Sequence, residues 1–402
     1  MRRSHFFIKT KRDVAAQDSK NAYLLDKAGY ISQVSSGVYA LMPLGLRVVQ
    51  KIEQVVREEM NALGASEVSF SALQPKEVWE QSGRFEDENF KQILYFDEQS
   101  QMTFAPTHEE PMTKAILGAV QSYKELPVLL YQFQTKFRRE LRAKSGLLRG
   151  REFRMKDLYS FHSDANEHNK FYESAAKAYL KVFERLGLEV YRTKASGGIF
   201  TKQFSDEFQV LCDTGEDELL VNHQTQTGYN TELEGELSET EKRGLEKVRG
   251  IEVGNIFHLE SKYSDAYKLK YQTKEGEQKS VIMGSYGIGI TRLLGTIAEI
   301  SNDEDGLIMP AVVAPFKIYL IDLTKDNQGE AIYKQLIDAK AEVLFDDRDV
   351  STGEKMFDAD LIGLPIRVVV SQKSLEQGGV ELKNRAQKAT KVIPVSELLK
   401  LV

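Results

Sequence analysis

The sequence predicts an α+β domain built on an antiparallel sheet, followed by a C-terminal α/β domain. Residues 128–162 alternate apolar and polar side chains on both sides of a basic break, which is typical of a long antiparallel strand pair. After Pro315, strand-like and helix-like segments alternate, which favours a mostly parallel sheet. Because Pro310 and Pro315 interrupt the chain, we predict one domain at 1–311 and a second at 312–402.

Composition excludes several classes of protein. The 402 residues carry a net charge of −6, which argues against a protein that coats nucleic acid without selectivity. The single cysteine, Cys212, excludes a disulfide framework and a zinc site of several thiolates. No apolar run reaches the length of about 18 residues that a membrane span needs, and no signal peptide is recognisable at the N-terminus. We expect a cytoplasmic protein without a membrane partner.

The elements before the strand pair follow from periodicity. Apolar residues recur at helical spacing over 46–63, and Gly64 then ends the predicted helix. The remaining predictions are an extended segment at 67–73, strands at 92–96 and 101–105, and a helix over 109–122.

Similar signals divide the chain after the strand pair. Asp164 begins a predicted helix that runs to about Leu186 and ends at Gly187. The charged stretch 231–250 has no apolar stripe, which indicates a surface connection. The other predicted elements are strands at 188–193, 207–212, 251–259 and 279–283, a helix ending near Ile300, and then strand 317–323, helix 327–340, strand 342–346, helix 354–363 and strand 366–371.

The predicted strand pair is strongly basic. Nine lysines and arginines lie between Lys136 and Lys156, against only two glutamates. On a strand, residues two apart share a face, so Arg138 and Glu140 place a guanidinium suited to phosphate beside a carboxylate that can accept from an exocyclic amine. Phe153 could stack on a base. The alternative is a solvated, basic strand edge that resists aggregation.

Two further segments have both a plain and a functional interpretation. The spacing Gly284-x-x-Gly-x-Gly-x-x-Arg292 lets a ligand approach the backbone ahead of a helix, yet it matches neither a P-loop nor a dinucleotide-binding fingerprint, and a simple tight turn also explains it. Thr107-His-Glu-Glu110 is either a helix capping box or a loop that holds a ligand amine through Glu109 and Thr107. The histidines and Cys212 show no zinc spacing, so no protein metal site is predicted.

Taken in order, these segments resemble the three motifs of class II aminoacyl-tRNA synthetases. The motifs correspond to 45–73, 135–162 and 284–295. The segments THEE, QTKFR, REF-x-MKD-x-YSFH, EFQVL, YGIG-x-TR and DDR, in that order, resemble bacterial prolyl-tRNA synthetases over nearly the whole chain. The resemblance implies a class II catalytic domain followed by an anticodon-binding domain.

The resemblance also implies roles for individual residues. Arg138 would hold the α-phosphate of ATP and the carboxylate region of the substrate, and Arg292 would hold the γ-phosphate. These two arginines are the expected catalytic residues. The expected ATP-binding residues are Arg138, Glu140, Arg149, Phe153, Gln209 and Arg292. The expected proline-binding residues are Thr107, Glu109, Arg138, His162 and Ser285, with Glu109 meeting the imino group, and the anticodon would be contacted by Asp347, Arg348 and Lys355.

The implied reaction joins proline to tRNA(Pro) through prolyl-adenylate. ATP and Mg²⁺ are the implied cofactors, and a homodimer is the implied assembly. The chain departs from the family in three ways: only 231–250 stands where bacterial members commonly carry an editing insertion, Ser71 replaces the usual motif 1 proline, and Ser285 replaces a frequent cysteine. We therefore expect no cis-editing of mischarged alanyl-tRNA.

Three alternatives remain at this point. A threonyl enzyme of the same class would need a zinc site, which Cys212 does not supply in the required pattern. A synthetase-like paralogue acting as a binding or regulatory subunit usually loses one motif arginine, and both Arg138 and Arg292 are present. A simple nucleic-acid-binding protein would explain the basic strand pair but not Thr107–Glu110 or the glycine-rich segment.

Overall fold

The computed structural model describes residues 1–14, 19–198, 200–201 and 203–401. Packing divides the chain into two compact units. One consists of Met1–Ser35, Tyr39–Ile52 and Ile297–Val402, and the other of Ser36–Val38 and Glu53–Thr296. The boundary at 311/312 stays a sequence prediction, since the first unit groups N-terminal segments with the C-terminal region. No described helix has the length and apolar character that crossing a membrane requires.

A nine-stranded sheet forms the frame of the larger unit. Its strands are β1 (Ser66–Glu67), β2 (Val128–Phe137), β3 (Glu152–His162), β4 (Tyr191–Ser196), β5 (Phe204–Leu211), β6 (Asp217–Asn222), β7 (Thr227–Asn230), β8 (Glu246–Glu260) and β9 (Ile282–Gly289). Their spatial order is β5-β4-β7-β6-β8-β9-β3-β2-β1, and β5 also pairs with β8. The β1–β2 and β4–β7 pairs are parallel, whereas the other pairs are antiparallel.

Helices and smaller sheets complete this unit. A three-stranded sheet contains Leu73–Pro75, Met102–Phe104 and Tyr95–Asp97, and a hairpin joins Lys270–Gln272 to Gln278–Ser280. The helices are Lys76–Gln81, Glu88–Ile93, Glu109–Ala115, Ala165–Arg185, Glu239–Lys242 and Lys262–Ala266. The helices Pro43–Ala62 and Ile290–Ile300 each contribute residues to both units.

The other unit contains a five-stranded sheet. Its strands, in spatial order, are Val343–Asp346, Ile318–Asp322, Ile366–Val370, Val380–Asn384 and Thr390–Ile393. The first three strands are parallel, and each of the last two pairs antiparallel with the strand before it. The helices are Gln328–Asp338, Thr352–Ile362, Gln372–Glu376 and Val395–Leu398. The unit also holds helix Lys20–Lys27, strand Ile31–Ser35, which pairs with Val38–Leu41, and the short pair Asn302–Asp303 and Gly306–Leu307. The predicted alternation of strands and helices is confirmed.

The antiparallel pair predicted over 128–162 is also confirmed. Val128 lies opposite Phe161, and the register continues to Phe137 opposite Glu152. The long helix begins after Asp164, whose carboxylate accepts from two backbone amides, and Gly187 follows it with a φ of +76°.

Several local predictions are wrong. The helix predicted over 109–122 ends at Ala115, and residues 246–250 belong to β8 rather than to a surface connection. The predicted glycine-rich turn is a strand, because β9 runs from Ile282 to Gly289. Its glycines admit close neighbours instead: a Cβ on Gly284 would lie 2.6 Å from His168 Cε1, and one on Gly287 would lie 2.6 Å from Met155 Cε.

Candidate active site

A cavity of about 310 Å³ opens where the β2–β3 connection meets β6, β8 and helix Ile290–Ile300. Five of the residues predicted to bind ATP line it, and these are Arg138, Glu140, Arg149, Phe153 and Arg292. The rest of the wall consists of Leu147, Leu148, Gly150, Glu216, Asp217, Gly250, Ile251 and Glu252. The fold therefore brings together residues that are more than 150 positions apart in the sequence.

Arg138 reaches the cavity from just beyond the end of a strand. Strand β2 ends at Phe137, so the argument that Arg138 and Glu140 share a strand face is wrong, although both line the cavity. The Arg138 Nε donates to the Pro106 carbonyl at 3.2 Å, and its guanidinium carbon lies 5.2 Å from the centre of the Phe153 ring. Burial and the nearby Arg292 lower the pKa of Arg138. Among the described residues it forms no ion pair, so its charge can meet an anionic ligand.

Glu140 is held by an arginine across the cavity wall. Arg149 Nε lies 2.9 Å from one Glu140 oxygen, and Arg149 Nη1 lies 2.6 Å from Glu216. The other Glu140 oxygen accepts from the Arg142 amide at 3.0 Å. Burial raises the pKa of Glu140, but the hydrogen bonds from Arg149 and the Arg142 amide outweigh burial and lower it. Glu140 is thus an ionised acceptor, as contact with an exocyclic amine requires.

Arg292 lies in the first turn of helix Ile290–Ile300. Its Nη1 donates to the Glu252 carbonyl at 2.7 Å and to the Glu252 carboxylate at 3.1 Å. The two side chains are about one-third exposed, at 31% and 29%. A ligand phosphate can therefore reach Arg292 by replacing the carboxylate contact.

Gln209 is buried behind the cavity wall rather than lining it. Its Nε2 donates to Glu207 and to Asp217, each at 2.9 Å. Burial, then the charges of Glu252 and Asp217, raise the pKa of Glu207 to about 8. Gln209 therefore orients carboxylates that adjoin the cavity, and its predicted contact with the nucleotide stays a prediction.

Three of the predicted proline-binding residues meet at Glu109. Thr107 Oγ1 donates to one Glu109 oxygen at 2.6 Å, and Ser285 Oγ donates to the other at 3.1 Å. All three side chains are buried. The capping-box alternative for this segment is wrong, because the helix N-cap is His108 and makes no side-chain cap hydrogen bond. The hydroxyls instead fix the Glu109 carboxylate.

His162 ends β3, opposite Ile282 of β9. Burial lowers the pKa of His162 to about 4, so the ring is neutral at physiological pH. Neither ring nitrogen has a hydrogen-bond partner in the described part of the chain. The rings of His168 and Phe171 lie 5.4 Å away, centre to centre. The neutral ring offers one donor and one acceptor to a ligand.

Lys136 is buried, so the interpretation of the basic strand pair as a solvated edge is wrong at this position. Its buried ammonium lies 2.6 Å from His108 Nδ1 and 3.0 Å from Asp157 Oδ2. Because an ammonium only donates, Nδ1 must accept, and the opposite nitrogen donates to the Ser71 carbonyl at 3.2 Å. Lys136, paired with Asp157, thereby fixes His108 and with it the segment that contains Thr107 and Glu109.

Lys156 is the second buried lysine of the pair. Its ammonium donates to the Tyr286 carbonyl at 2.9 Å and also to the Tyr179 hydroxyl, whose ring centre lies 4.4 Å away. Burial lowers the pKa of Lys156 well below its ordinary value. Alternation in the sequence does not distinguish such lysines from exposed ones, because both faces of a central strand are covered.

The residues predicted to contact the anticodon all have internal partners. Asp347 accepts from the amide and hydroxyl of Ser4. Arg348 pairs with Asp346 at 2.7 Å and Asp358 at 2.9 Å. Lys355 is buried and donates to two backbone carbonyls, each at 3.2 Å. These contacts connect the three residues to Ser4, to helix Thr352–Ile362 and to the ends of two strands. Their contact with RNA stays a prediction. Within the described residues no group of three or more His, Cys, Asp or Glu could hold a metal ion.

Comparison with known proteins shows the class of the chain. Residues 90–301 match the family model described as tRNA synthetase class II core domain (G, H, P, S and T), and residues 311–402 match the one described as anticodon binding domain. The fold described above is thus that of a class II aminoacyl-tRNA synthetase.

Curated relatives narrow the class to one family. A proline–tRNA ligase of Wolbachia sp. subsp. Drosophila simulans (strain wRi) is 38% identical, with 99% of each chain covered. That of Caulobacter vibrioides (strain NA1000 / CB15N) is also 38% identical, with 96% of this chain and 95% of the relative covered. The chain belongs to the proline–tRNA ligase family.

Solved structures agree with this fold. The prolyl-tRNA synthetase of Cryptosporidium parvum with halofuginone and AMPPNP matches with a TM-score of 0.80 and 18% identity, covering 96% of this chain and 78% of that one. The Giardia lamblia enzyme with prolyl-adenylate matches with a TM-score of 0.78 and 19% identity, over the same shares.

The buried Lys136–Asp157 pair leads to a first prediction. Lys136→Met leaves the Asp157 carboxylate buried without its cation, so we expect a loss of about 3–5 kcal/mol in the free energy of unfolding, measured by denaturant titration. Adding Asp157→Asn should restore part of the loss. Lys144→Met, at an exposed lysine in the connecting loop, is the matched control and should change stability little. Equal stability of the Lys136 and Lys144 variants would contradict the assignment.

Proposed function

We propose that this chain attaches proline to tRNA(Pro) in two steps, through prolyl-adenylate and without cis-editing, in the cytoplasm. The observation that carries the proposal is the link between Arg138 and Glu109. Arg138 lines the cavity and donates to the carbonyl of Pro106, which precedes Thr107 and lies three residues before Glu109 in the sequence. A cation suited to the α-phosphate and a buried carboxylate suited to the imino group would therefore bind neighbouring parts of prolyl-adenylate.

The first step needs positioning rather than a protein nucleophile. The carboxylate of proline attacks the α-phosphorus of ATP in line, and pyrophosphate leaves. Arg138 would hold the α-phosphate and Arg292 the γ-phosphate, while Phe153 and Glu140 would hold the adenine ring and its amine. Guanidinium groups already in place stabilise the charge that develops on the phosphate oxygens.

The second step uses the same residues. A terminal ribose hydroxyl of tRNA attacks the prolyl carbonyl, and AMP leaves as the acyl bond to the phosphate breaks. Glu109, fixed by Thr107 and Ser285, would hold the imino cation throughout. His162 would complete the proline pocket with its unpaired ring nitrogens.

Mg²⁺ fits the acidic side of the cavity. Asp217 and Glu252 line the wall, and burial followed by the charge of Glu252 raises the pKa of Asp217. A divalent cation would relieve this repulsion, with its remaining ligands supplied by phosphates and water. Bound there, Mg²⁺ would neutralise phosphate charge, and Asp217 and Glu252 would hold it.

A homodimer is supported by an exposed apolar row. In the three-stranded sheet, Leu73 and Tyr95 each lie opposite Phe104, and all three side chains are exposed. The row follows Ser71, at the end of the segment resembling motif 1. A second copy of the chain would remove these side chains from water.

The absence of cis-editing is supported by the path of the chain between β5 and β9. Residues 212–281, all described, form β6, β7, β8, the hairpin Lys270–Gln272/Gln278–Ser280, and short helices. These strands belong to the catalytic sheet or pack with its unit, and no separate compact unit is found among the described residues there.

The proposed reaction predicts pyrophosphate exchange that depends on proline alone among the twenty amino acids. Arg138→Ala should lower kcat/KM for ATP in this exchange about 100- to 1000-fold, because an oriented cation at the α-phosphate is lost. The neighbouring, exposed Arg139→Ala is the matched control and should stay within a few-fold of the unaltered enzyme. Exchange with no amino acid would instead favour the regulatory paralogue, and near-normal exchange by Arg138→Ala would refute the phosphate role.

The missing insertion predicts slow hydrolysis of alanyl-tRNA(Pro). Release of labelled alanine from preformed alanyl-tRNA(Pro) should proceed at the spontaneous rate when the enzyme is added, because no second site is present in the sheet connection. Rapid, enzyme-dependent deacylation would show that a hydrolytic site exists elsewhere in the chain.

The apolar row predicts an interface that a charge disrupts. Phe104→Glu should shift the protein from dimer to monomer in light scattering coupled to gel filtration, because a buried unpaired carboxylate is costly. Phe204→Glu, at another exposed phenylalanine, is the control and should leave the mass unchanged. A monomeric unaltered protein at micromolar concentration would contradict the proposed assembly.

A further inference from the structure

Arg84 is a buried arginine that no sequence pattern singled out. It begins the 3₁₀ turn Arg84–Glu86, directly after Gly83, whose φ is +75°. Its relative exposure is only 4%. One terminal nitrogen, Nη1, lies 3.1 Å from Glu109 Oε2 and 3.3 Å from Glu110 Oε2. A single guanidinium nitrogen therefore serves two consecutive carboxylates.

Aromatic rings hold the rest of the guanidinium. Its central carbon lies 4.6 Å from the ring centre of Phe90, 4.9 Å from that of Phe200 and 5.4 Å from that of Tyr263. The Nε and Nη2 atoms have no hydrogen-bond partner among the described residues. Because cation–π contacts with three rings replace hydrogen bonds, the side chain cannot turn away from the two carboxylates without losing them.

The two carboxylates need this cation. Glu109 and Glu110 are neighbours in the sequence, and both are buried. Burial, opposed by Arg84 and reinforced by Glu109, raises the pKa of Glu110. Ser82 Oγ donates to the other Glu110 oxygen at 2.7 Å. Two buried like charges side by side favour protonation of one of them unless a cation offsets the repulsion.

A proton shared by these two adjacent carboxylates would weaken their attraction for a cationic imino group. We propose that Arg84 is a positioning residue, which directs Glu109 at the imino group of proline and offsets the charge of Glu110 beside it. This inference rests on the proposed function and deepens it. Thr107 and Ser285 orient the same carboxylate through neutral hydroxyls, so Arg84 alone supplies a direct ion pair to Glu109 among the described residues.

Other charged groups face Glu109 from neighbouring elements. The cations that interact with it are Arg84, Lys136 and Arg138, together with Lys262 of helix Lys262–Ala266. The remaining titratable groups are Glu110, His108, Tyr159 and Tyr263. Lys136 is already paired with Asp157, and Arg138 points to the cavity, so Arg84 is the cation placed to balance Glu110.

The test is the pH dependence of proline recognition in pyrophosphate exchange between pH 6 and 9. Arg84→Met should raise KM for proline about tenfold or more at pH 7, while KM for ATP stays within about threefold. The rise in KM should shrink as pH increases, because deprotonation of the coupled Glu109–Glu110 pair restores its full negative charge. The unaltered enzyme should show no such fall of KM with pH. A merely structural role would weaken ATP and proline together and leave the pH profile flat.

Removing the charge of Glu110, alone and together with Arg84→Met, tests whether Arg84 acts by offsetting that charge or only by contacting Glu109. Glu110→Gln alone should leave KM for proline within about twofold of the unaltered enzyme. In the double variant Arg84→Met/Glu110→Gln, KM for proline should no longer change with pH, because the negative charge of Glu110 is absent. If Arg84→Met does not fold, the double variant is compared directly with the unaltered enzyme, and a steep pH profile there overturns the proposal.

The outcomes distinguish this proposal from the proposed function. If the unaltered enzyme shows no proline-dependent exchange, the function itself fails. If it exchanges proline but Arg84→Met has a flat pH profile, or if the double variant stays as steep as the single one, only the role of Arg84 is refuted. Thermal unfolding of each variant confirms that the compared proteins are folded.

Discussion

Strand β2 pairs with β3 over ten consecutive residue positions, from Val128–Phe161 to Phe137–Glu152, and this register fixes the geometry of the site. Because the pairing ends at Phe137, Arg138 leaves the sheet beside Phe153 and reaches the cavity. The next pairing, of β3 with β9, places Ser285 opposite Tyr159. A slip of one residue would turn each side chain to the other face of the sheet, so one register positions both the residues proposed to bind phosphate and those proposed to bind proline.

Burial of paired charges is the second constraint. Lys136 with Asp157, and Arg84 with Glu109 and Glu110, lie where water is excluded. Such pairs add little net stability, because removing charges from water costs about as much as their attraction returns. They do fix which group is ionised and where it lies. The substrate of this family is a small zwitterion, so a carboxylate fixed in position can recognise its cationic group.

The sequence predicted the central strands and several of the residues that line the cavity, but it did not predict which charged side chains are buried. Alternation revealed β2 and β3, and the resemblance to class II synthetases named Arg138, Glu140, Phe153 and Arg292, which the fold gathers at one cavity. It could not reveal that Lys136 is buried, because alternation looks the same in a central strand with two covered faces. It could not reveal Arg84 either, since the partners of that side chain lie 25 and 26 residues away and become neighbours only in the folded chain.

The arginines of the cavity differ in how much they are already engaged. Arg149 is paired with Glu140 and Glu216, and Arg292 with Glu252, whereas Arg138 has only the Pro106 carbonyl as a partner among the described residues. A phosphate at Arg292 must displace a carboxylate, while one near Arg138 gains a new contact without such an exchange. The binding energy available from Arg138 is therefore less reduced by lost internal contacts. If Arg138 holds the α-phosphate and Arg292 the γ-phosphate, as proposed, this arrangement would concentrate stabilisation at the reacting atom and hold the γ-phosphate more weakly, which would favour release of pyrophosphate.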